Sequence, residues 1–118
     1  MKQRTPWGTC EVLAEGHLYK VKRLTIRPGN RISLQRHLRR DEFFTAVSGF
    51  GWATLGDDKN ATVGRELFAG AAVGVRRGVK HRLENKGKTD DLVIIEVQCG
   101  DYVGEDDIER FEDDFGRV

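Results

Sequence analysis

Long apolar runs, proline and cysteine are all scarce in this 118-residue chain, and each shortage excludes something. No segment approaches the roughly 20 apolar residues that span a bilayer, so no membrane partner is expected. The opening MKQRTPWGTC has no apolar stretch of the signal-peptide kind. Two prolines set against 14 glycines leave no proline-rich linker. The two cysteines, Cys10 and Cys99, stand far apart and form no CxxC pair. Two buried free thiols in a cytoplasmic protein are therefore expected rather than a disulfide. Aromatic residues are only 8% of the chain. The basic residues neither run together nor interleave with them, which argues against a nucleic-acid surface. Net charge is nearly absent, at +1, but unevenly spread: residues 101–118 hold eight acids and two bases, leaving +7 on the remainder.

What is present is a succession of short alternating or β-branched segments broken by glycine. The length suits one domain, residues 1–118, around a single core. YKVKRLTI (19–26) reads as a strand ending at Pro28-Gly29, RISLQRH (31–37) as a second and EFFTAVSG (42–49) as a third. GWATL continues after it, GDDKN marks a hairpin tip, and TVGRELFAG, AAVGVRRG and LVIIEVQCG follow. Regular short strands predict an all-β sandwich or barrel. One helix is expected, over GEDDIERFEDDFG (104–116), where Ile108, Phe111 and Phe115 recur at spacings of three and four. Three acids in its first turn suit the helix dipole, and the acidic tail is expected to dock against the positive remainder.

Ser33, Gln35 and His37 alternate, so their side chains share one face of a strand. Arg40 and Glu42 share a face again after a turn, and His81 follows a later glycine turn. Two imidazoles, a carboxylate and an amide oxygen make a plausible four-ligand set for a divalent metal with positions left open. Gln35, His37, Glu42 and His81 are the expected ligands of one such ion. Zinc leads, and iron, manganese, cobalt and nickel suit the same donors. Glu96 and Gln98 alternate on one face of IIEVQ, and Lys22 can point inward from its strand. The sequence does not choose a general base among them, and a salt bridge between Lys22 and Glu96 is an equal structural expectation.

PGNRISLQRHLRRDEFFTAVSG resembles the first cupin motif, Gly-x5-His-x-His-x4-Glu-x6-Gly, with Gly29, Gln35, His37, Glu42 and Gly49 in register. GAAVGVRRGVKHRLEN resembles the second, through Gly70, Gly78, His81 and Asn85, with Arg76 in place of the usual proline. Nearly the whole chain, most specifically GEDDIERFEDDFGR, is similar to the C-terminal domain of bifunctional mannose-1-phosphate guanylyltransferase/mannose-6-phosphate isomerases. The departures are Arg39 for a second histidine, Thr5 for the arginine before Pro-Trp-Gly, and Cys10 for a tyrosine.

That resemblance implies a double-stranded β-helix, the cupin jelly roll, with the short C-terminal helix added. It implies a metal-dependent isomerase of mannose 6-phosphate and fructose 6-phosphate, with Arg40 facing a sugar-phosphate substrate and Glu96 or Lys22 in the catalytic machinery. It also implies a homodimer. The family's nucleotidyltransferase domain has no counterpart in the sequence, so a free-standing cupin is expected, with a separate nucleotidyltransferase as pathway partner. The other reading left open is a non-catalytic or differently specific sugar-binding accessory cupin.

Overall fold

The computed structural model describes residues 2–56 and 62–118. Eleven strands are seen: β1 (Lys2–Thr5), β2 (Gly8–Gly16), β3 (Tyr19–Ile26), β4 (Leu34–Arg36), β5 (Arg40–Ser48), β6 (Gly51–Leu55), β7 (Val63–Leu67), β8 (Ala72–Val75), β9 (His81–Asn85), β10 (Leu92–Gly100) and β11 (Glu109–Glu112). They form one sheet in the order β1-β2-β3-β10-β5-β8 and a second in the order β11-β4-β9-β6-β7, with every pairing antiparallel. This is the expected double-stranded β-helix. β6 and β7 pair as a hairpin; of the expected tip GDDKN, at 56–60, residues 57–60 lie outside the described residues. Gly29 and Gly49, which frame the first motif, sit at φ 73° and 94°. A side chain at Gly49 would also press within 2.4 Å of the Asp91 carbonyl oxygen.

The inward face of the first sheet changes character part-way along its strands. On β3 the inward residues run Ile26, Leu24, then Lys22 and Lys20, and on β10 they run Leu92, Ile94, then Glu96 and Gln98. β5 repeats the switch with Ala46 and Phe44 followed by Glu42 and Arg40. The register aligns these changes: Ile94 lies opposite Leu24 and Ala46, Glu96 opposite Lys22, and Gln98 opposite Glu42. One end of the interior is therefore apolar, completed by Leu67, Leu83 and Ala53 from the second sheet. Each large side chain fully buried there contributes about 1.5–3 kcal/mol. The other end is a polar compartment between the same two sheets. Trp7 packs in the core, and the thiols of Cys10 and Cys99 are free as expected, though half-buried rather than buried.

The expected C-terminal helix is not seen. Residues 101–118 run as an extended strap whose only regular element is β11, paired antiparallel to the edge strand β4. Glu105 pairs with Lys22 and Lys20, Glu109 with Arg36, Glu112 with Arg82 and Asp114 with Arg31. An extended chain advances about 3.3 Å per residue against 1.5 Å in a helix, so it can carry these acids to cations spread over the barrel. Pairing with β4 satisfies backbone groups that a helix would have satisfied internally. The helical stripe dissolves accordingly. Ile108 lines the cavity, Phe111 lies between Lys80 and Arg36 at 3.9 and 5.4 Å from its ring centre, and Phe115 is exposed. The charge asymmetry is thus internal complementarity between strap and barrel.

Asp113 closes the strap on itself, accepting hydrogen bonds from the backbone and guanidinium of Arg117. These hold its carboxyl at about 2, below the ordinary 3.8. A carboxyl depressed on folding adds stability above its unfolded value and loses it as pH falls through the folded one. Acidification from pH 4 to pH 2 should therefore lower the melting temperature. Asp113→Asn, already less stable at neutral pH, should lose less over that interval. Equal acid sensitivity in the two proteins would show that the pair does not set it.

Candidate metal centre and its cavity

The polar compartment opens into a cavity of about 310 Å³. At its base lies Glu42 of β5, buried with only 1% of its surface exposed. His37 reaches it from the turn after β4 and His81 from the start of β9, so both imidazoles approach from the second sheet's side. His81 Nε2 is 3.0 Å and His37 Nε2 is 3.2 Å from Glu42 Oε1. Arg40 Nε donates to Glu42 Oε2 at 3.0 Å, and Gln98 Nε2 donates to the same oxygen at 3.2 Å. Arg40 and Gln98 sit there for simple reasons: one is two residues along the same strand, the other is the cross-strand partner.

The two rings are held in one orientation. His37 Nδ1 lies 2.6 Å from the Asp107 carbonyl oxygen, and His81 Nδ1 lies 3.0 Å from that of Val79. A carbonyl can only accept, so each Nδ1 carries a proton and each Nε2 is the nitrogen turned towards Glu42. Three candidate ligand atoms converge, and His37, Glu42 and His81 offer ligand atoms all within 4.8 Å of one another. Such a convergence calls for a cation. The backbone carbonyls on Nδ1 are the kind of support that orients metal-binding imidazoles. The residues present therefore fit a divalent metal. Gln35 borders the same cavity opposite His81 in register, with Ser33 Oγ donating to its amide oxygen at 3.2 Å.

Burial alone would raise the carboxyl of Glu42, but the two histidines beside it outweigh that effect and hold the group well below the usual range. Glu96 goes the other way. Burial, together with the negative charge of Glu42, pushes its carboxyl well above the ordinary value, and Gln98 donates to it at 3.2 Å. Lys22 faces Glu96 across the strands, yet its ammonium pairs with Glu105 of the strap in place of the expected Lys22–Glu96 bridge. Arg40 also donates to the Gly104 carbonyl at 3.0 Å.

Of the sequence departures, Arg39 turns away from the site: its guanidinium meets Asp101 and lies 4.7 Å from the ring centre of Tyr102. Thr5 and Cys10 do border the cavity. Lys80 and Arg82, which flank His81, face the strap as alternation requires. Two residues went unnoticed in the sequence. Asp107 supplies the carbonyl on His37, and its carboxylate accepts from the amides of Leu38 and Arg39 at 3.0 Å each. Arg110, opposite Gln35 across β4 and β11, lines the cavity. Helical periodicity hid both, whereas two-residue alternation would have put Ile108 and Arg110 on one face.

A family model described as the C-terminal part of mannose-6-phosphate isomerase matches residues 1–113. The chain belongs to that family. XanB, a xanthan biosynthesis protein of Xanthomonas campestris, is 44% identical to this family member over 96% of the chain, and the alignment covers 23% of XanB. AlgA, an alginate biosynthesis protein of Pseudomonas aeruginosa, is 44% identical over 96%, and a mannose-1-phosphate guanylyltransferase of Salmonella montevideo 42% identical over 95%. The chain spans less than a quarter of each relative's length. The capsular polysaccharide assembling protein CapF from Staphylococcus aureus superposes with a TM-score of 0.80, at 19% identity, over 95% of this chain and 32% of CapF. Oxalate decarboxylase from Bacillus subtilis does so at 0.82, with 13% identity, over 94% of this chain and 30% of that protein. These two likenesses concern the fold alone.

The relatives correct the expected isomerase. They are named for guanylyl transfer and for xanthan and alginate biosynthesis, and what they do belongs to proteins more than four times as long. The interconversion of mannose 6-phosphate and fructose 6-phosphate does not carry over to this chain. Membership of an enzyme family's C-terminal part does. No helix among the described residues is long and apolar enough to cross a membrane.

Glu42→Gln tests the electrostatics of the site directly. It removes the charge facing Arg40, a buried cation with no other carboxylate partner among the described residues, and should cost about 3–5 kcal/mol in urea unfolding with chelator present. Asp101→Asn, which breaks the exposed Arg39 pair, should cost less than about 1 kcal/mol. Equal effects would mean the buried pair contributes no more than a surface one.

Proposed function

We propose that this chain is a sugar-binding metallocupin, a module accessory to polysaccharide sugar metabolism or with a specificity of its own. One observation carries the reading. Among the described residues, four buried side-chain polar atoms lack a hydrogen-bond partner: Thr5 Oγ1, His37 Nε2, Gln98 Oε1 and Arg110 Nε. All four residues line the same cavity. A buried polar group left unpaired costs about 1–3 kcal/mol, so their concentration in one place favours a polar ligand there. The cavity volume lies at the lower end of the range for small-molecule sites, suited to a monosaccharide or its phosphate.

His37, Glu42 and His81 would hold the metal, with the Gln35 amide oxygen as a fourth donor. Zinc is the proposed ion, since mixed nitrogen and carboxylate donors suit it, although iron, manganese, cobalt and nickel accept the same set. When bound, such an ion supplies a Lewis acid for the hydroxyl or carbonyl oxygens of a sugar. Arg40 and Gln98 occupy Glu42 Oε2, which leaves Oε1 on the histidine side. Ser33 orients the Gln35 amide, and Trp7 offers an apolar wall against which a sugar ring can lie.

The commitments of Glu96 and Lys22 favour binding over turnover. Burial beside Glu42 pushes the Glu96 carboxyl well above its ordinary value, and the Lys22 ammonium is paired with Glu105, so both are committed to partners within the fold. The xanthan and alginate relatives support the polysaccharide setting.

Elemental analysis of protein purified without chelator should find one metal per chain, lost in His37→Ala and His81→Ala. Calorimetry of the metal-loaded protein should show binding of mannose or mannose 6-phosphate, with no sugar phosphate consumed over hours. Equal metal content in wild type and both variants, or no heat with either sugar, would overturn the reading.

A further inference from the structure

One turn of the strap grips the candidate metal centre from both sides. Residues 104–107 close on themselves, the Asp107 amide donating to the Gly104 carbonyl at 3.2 Å. That same carbonyl accepts from Arg40 Nη1 at 3.0 Å, and Arg40 Nε donates in turn to Glu42 Oε2. At the other end of the turn the Asp107 carbonyl accepts from His37 Nδ1 at 2.6 Å, which turns His37 Nε2 towards Glu42 Oε1. Glu105, between them, pairs with Lys22. Four consecutive residues therefore reach each oxygen of Glu42 through one intermediary side chain.

His37 depends on this turn more than His81 does. His81 opens β9, and its Nδ1 bonds to the Val79 carbonyl two residues earlier in the same segment. His37 lies in the bend between β4 and β5, outside both strands. On the barrel side the Gly78 amide donates to the His37 carbonyl at 2.7 Å. Asp107 adds three contacts: its carbonyl on the ring, and its carboxylate on the amides of Leu38 and Arg39 at 3.0 Å each. One strap residue thus fixes both the ring and the backbone of the bend that carries it.

The strap itself is held lightly. It pairs with β4 over three positions, with a register shift between Arg110 and Glu112. The carboxylates of Glu105, Glu109, Glu112 and Asp114 stand 45–64% exposed in their ion pairs, and such pairs contribute little singly. Phe115 and Val118 remain exposed. Segments with few buried apolar contacts open locally at a free energy well below that of global unfolding.

We infer that Asp107 is a positioning residue of the metal centre, and that docking of the strap and occupancy of the centre by a divalent metal are mutually dependent. When the strap lifts, His37 loses the acceptor on its ring and two backbone anchors of its bend, so the three donors no longer converge. An ion held by His37, Glu42 and His81 in turn fixes the surface on which the turn docks. Such coupling is reciprocal: the factor by which strap release weakens metal binding is the factor by which the metal suppresses strap release. The inference rests on the metal-binding reading above and adds its regulation, since whatever displaces the strap releases the ion.

The test uses the full chain with zinc alone as ligand. Hydrogen exchange of the strap segment 104–112, read by mass spectrometry, should slow at least about tenfold when zinc replaces chelator, while β2 exchanges at an unchanged rate. Zinc affinity, measured by competition with a chromogenic chelator, should fall about 10–100-fold in Asp107→Ala, the range for residues that orient a metal ligand. Asp107→Asn keeps one side-chain oxygen for the Leu38 and Arg39 amides and should recover part of the loss. Glu11→Gln, which breaks the Glu11–Arg23 pair on the first sheet, should change neither quantity. A merely structural Asp107 would speed strap exchange in Asp107→Ala and leave zinc affinity untouched.

Wild-type zinc affinity in Asp107→Ala, or strap exchange indifferent to zinc in wild type, would overturn the coupling and leave the metal site standing. If Asp107→Ala does not fold, the wild-type exchange result decides alone. No zinc bound by wild type would remove the metal reading and the coupling with it.

Discussion

Glu42 carries a full negative charge into the interior, and the surrounding structure is arranged to tolerate it. An isolated carboxylate there would be prohibitively costly, since burial strips its hydration. Both of its oxygens are instead engaged: Oε2 by Arg40 and Gln98, and Oε1 by His81, with His37 Nε2 3.2 Å away. These groups come from β5 and β10 of one sheet and from the turn after β4 and the start of β9 on the other side. The carboxylate therefore ties the two sheets together at the end of the barrel where apolar packing gives out. It also acts on its neighbour, because two carboxylates this close cannot both be ionised cheaply, and the Glu96 carboxyl is pushed well above its ordinary value.

The strap completes this arrangement. Its carbonyls at Val103, Gly104 and Asp107 accept from Lys20, Arg40 and His37, three side chains that would otherwise leave donors at the polar end. Its carboxylates meet cations on the barrel at the same time. Ion pairs whose carboxylate stands in solvent contribute little singly, but these fix the path of an extended segment that lacks a large apolar face of its own. The carbonyl of Asp107 matters most for chemistry, because it decides which nitrogen of His37 faces Glu42. Order in the tail and donor geometry at the centre are consequently one property of the fold.

CapF and oxalate decarboxylase show how far the barrel tolerates sequence change, with identities of 19% and 13% at nearly full coverage of this chain. What distinguishes this member is the filling of the polar end. The interior positions of β3, β5 and β10 could all have been apolar, and the barrel would then have been better packed and without a cavity. Keeping Lys22, Arg40, Glu42, Glu96 and Gln98 there trades core burial for a site, a cost met by dense internal pairing.

Much of this was legible before any coordinates. The run 19–26 alternates so cleanly that its strand bounds could be read directly, as could those of 51–55 and 92–100. His37, Glu42 and His81 stood out because strand spacing and glycine turns are local properties, written in neighbouring residues. The tail was misread for a related reason. Ile108, Phe111 and Phe115 carry a genuine helical period, but local preference lost to distant cations and to an open strand edge, neither of which leaves a mark in residues 104–116. The same blindness hid Arg110 and Asp107, whose roles exist only because β11 pairs with β4 and brings them against Gln35 and His37. The sequence by itself determined the strands, the polar positions and the candidate ligand types, since these follow from periodicity and residue chemistry over a few positions. Tertiary structure alone decided which nitrogen of each histidine faces Glu42, which carboxyl is pushed upward and which arginine is left unpaired. Those depend on atoms brought within about 3 Å from segments some 70 residues apart, where the low-dielectric interior makes each pairing strong.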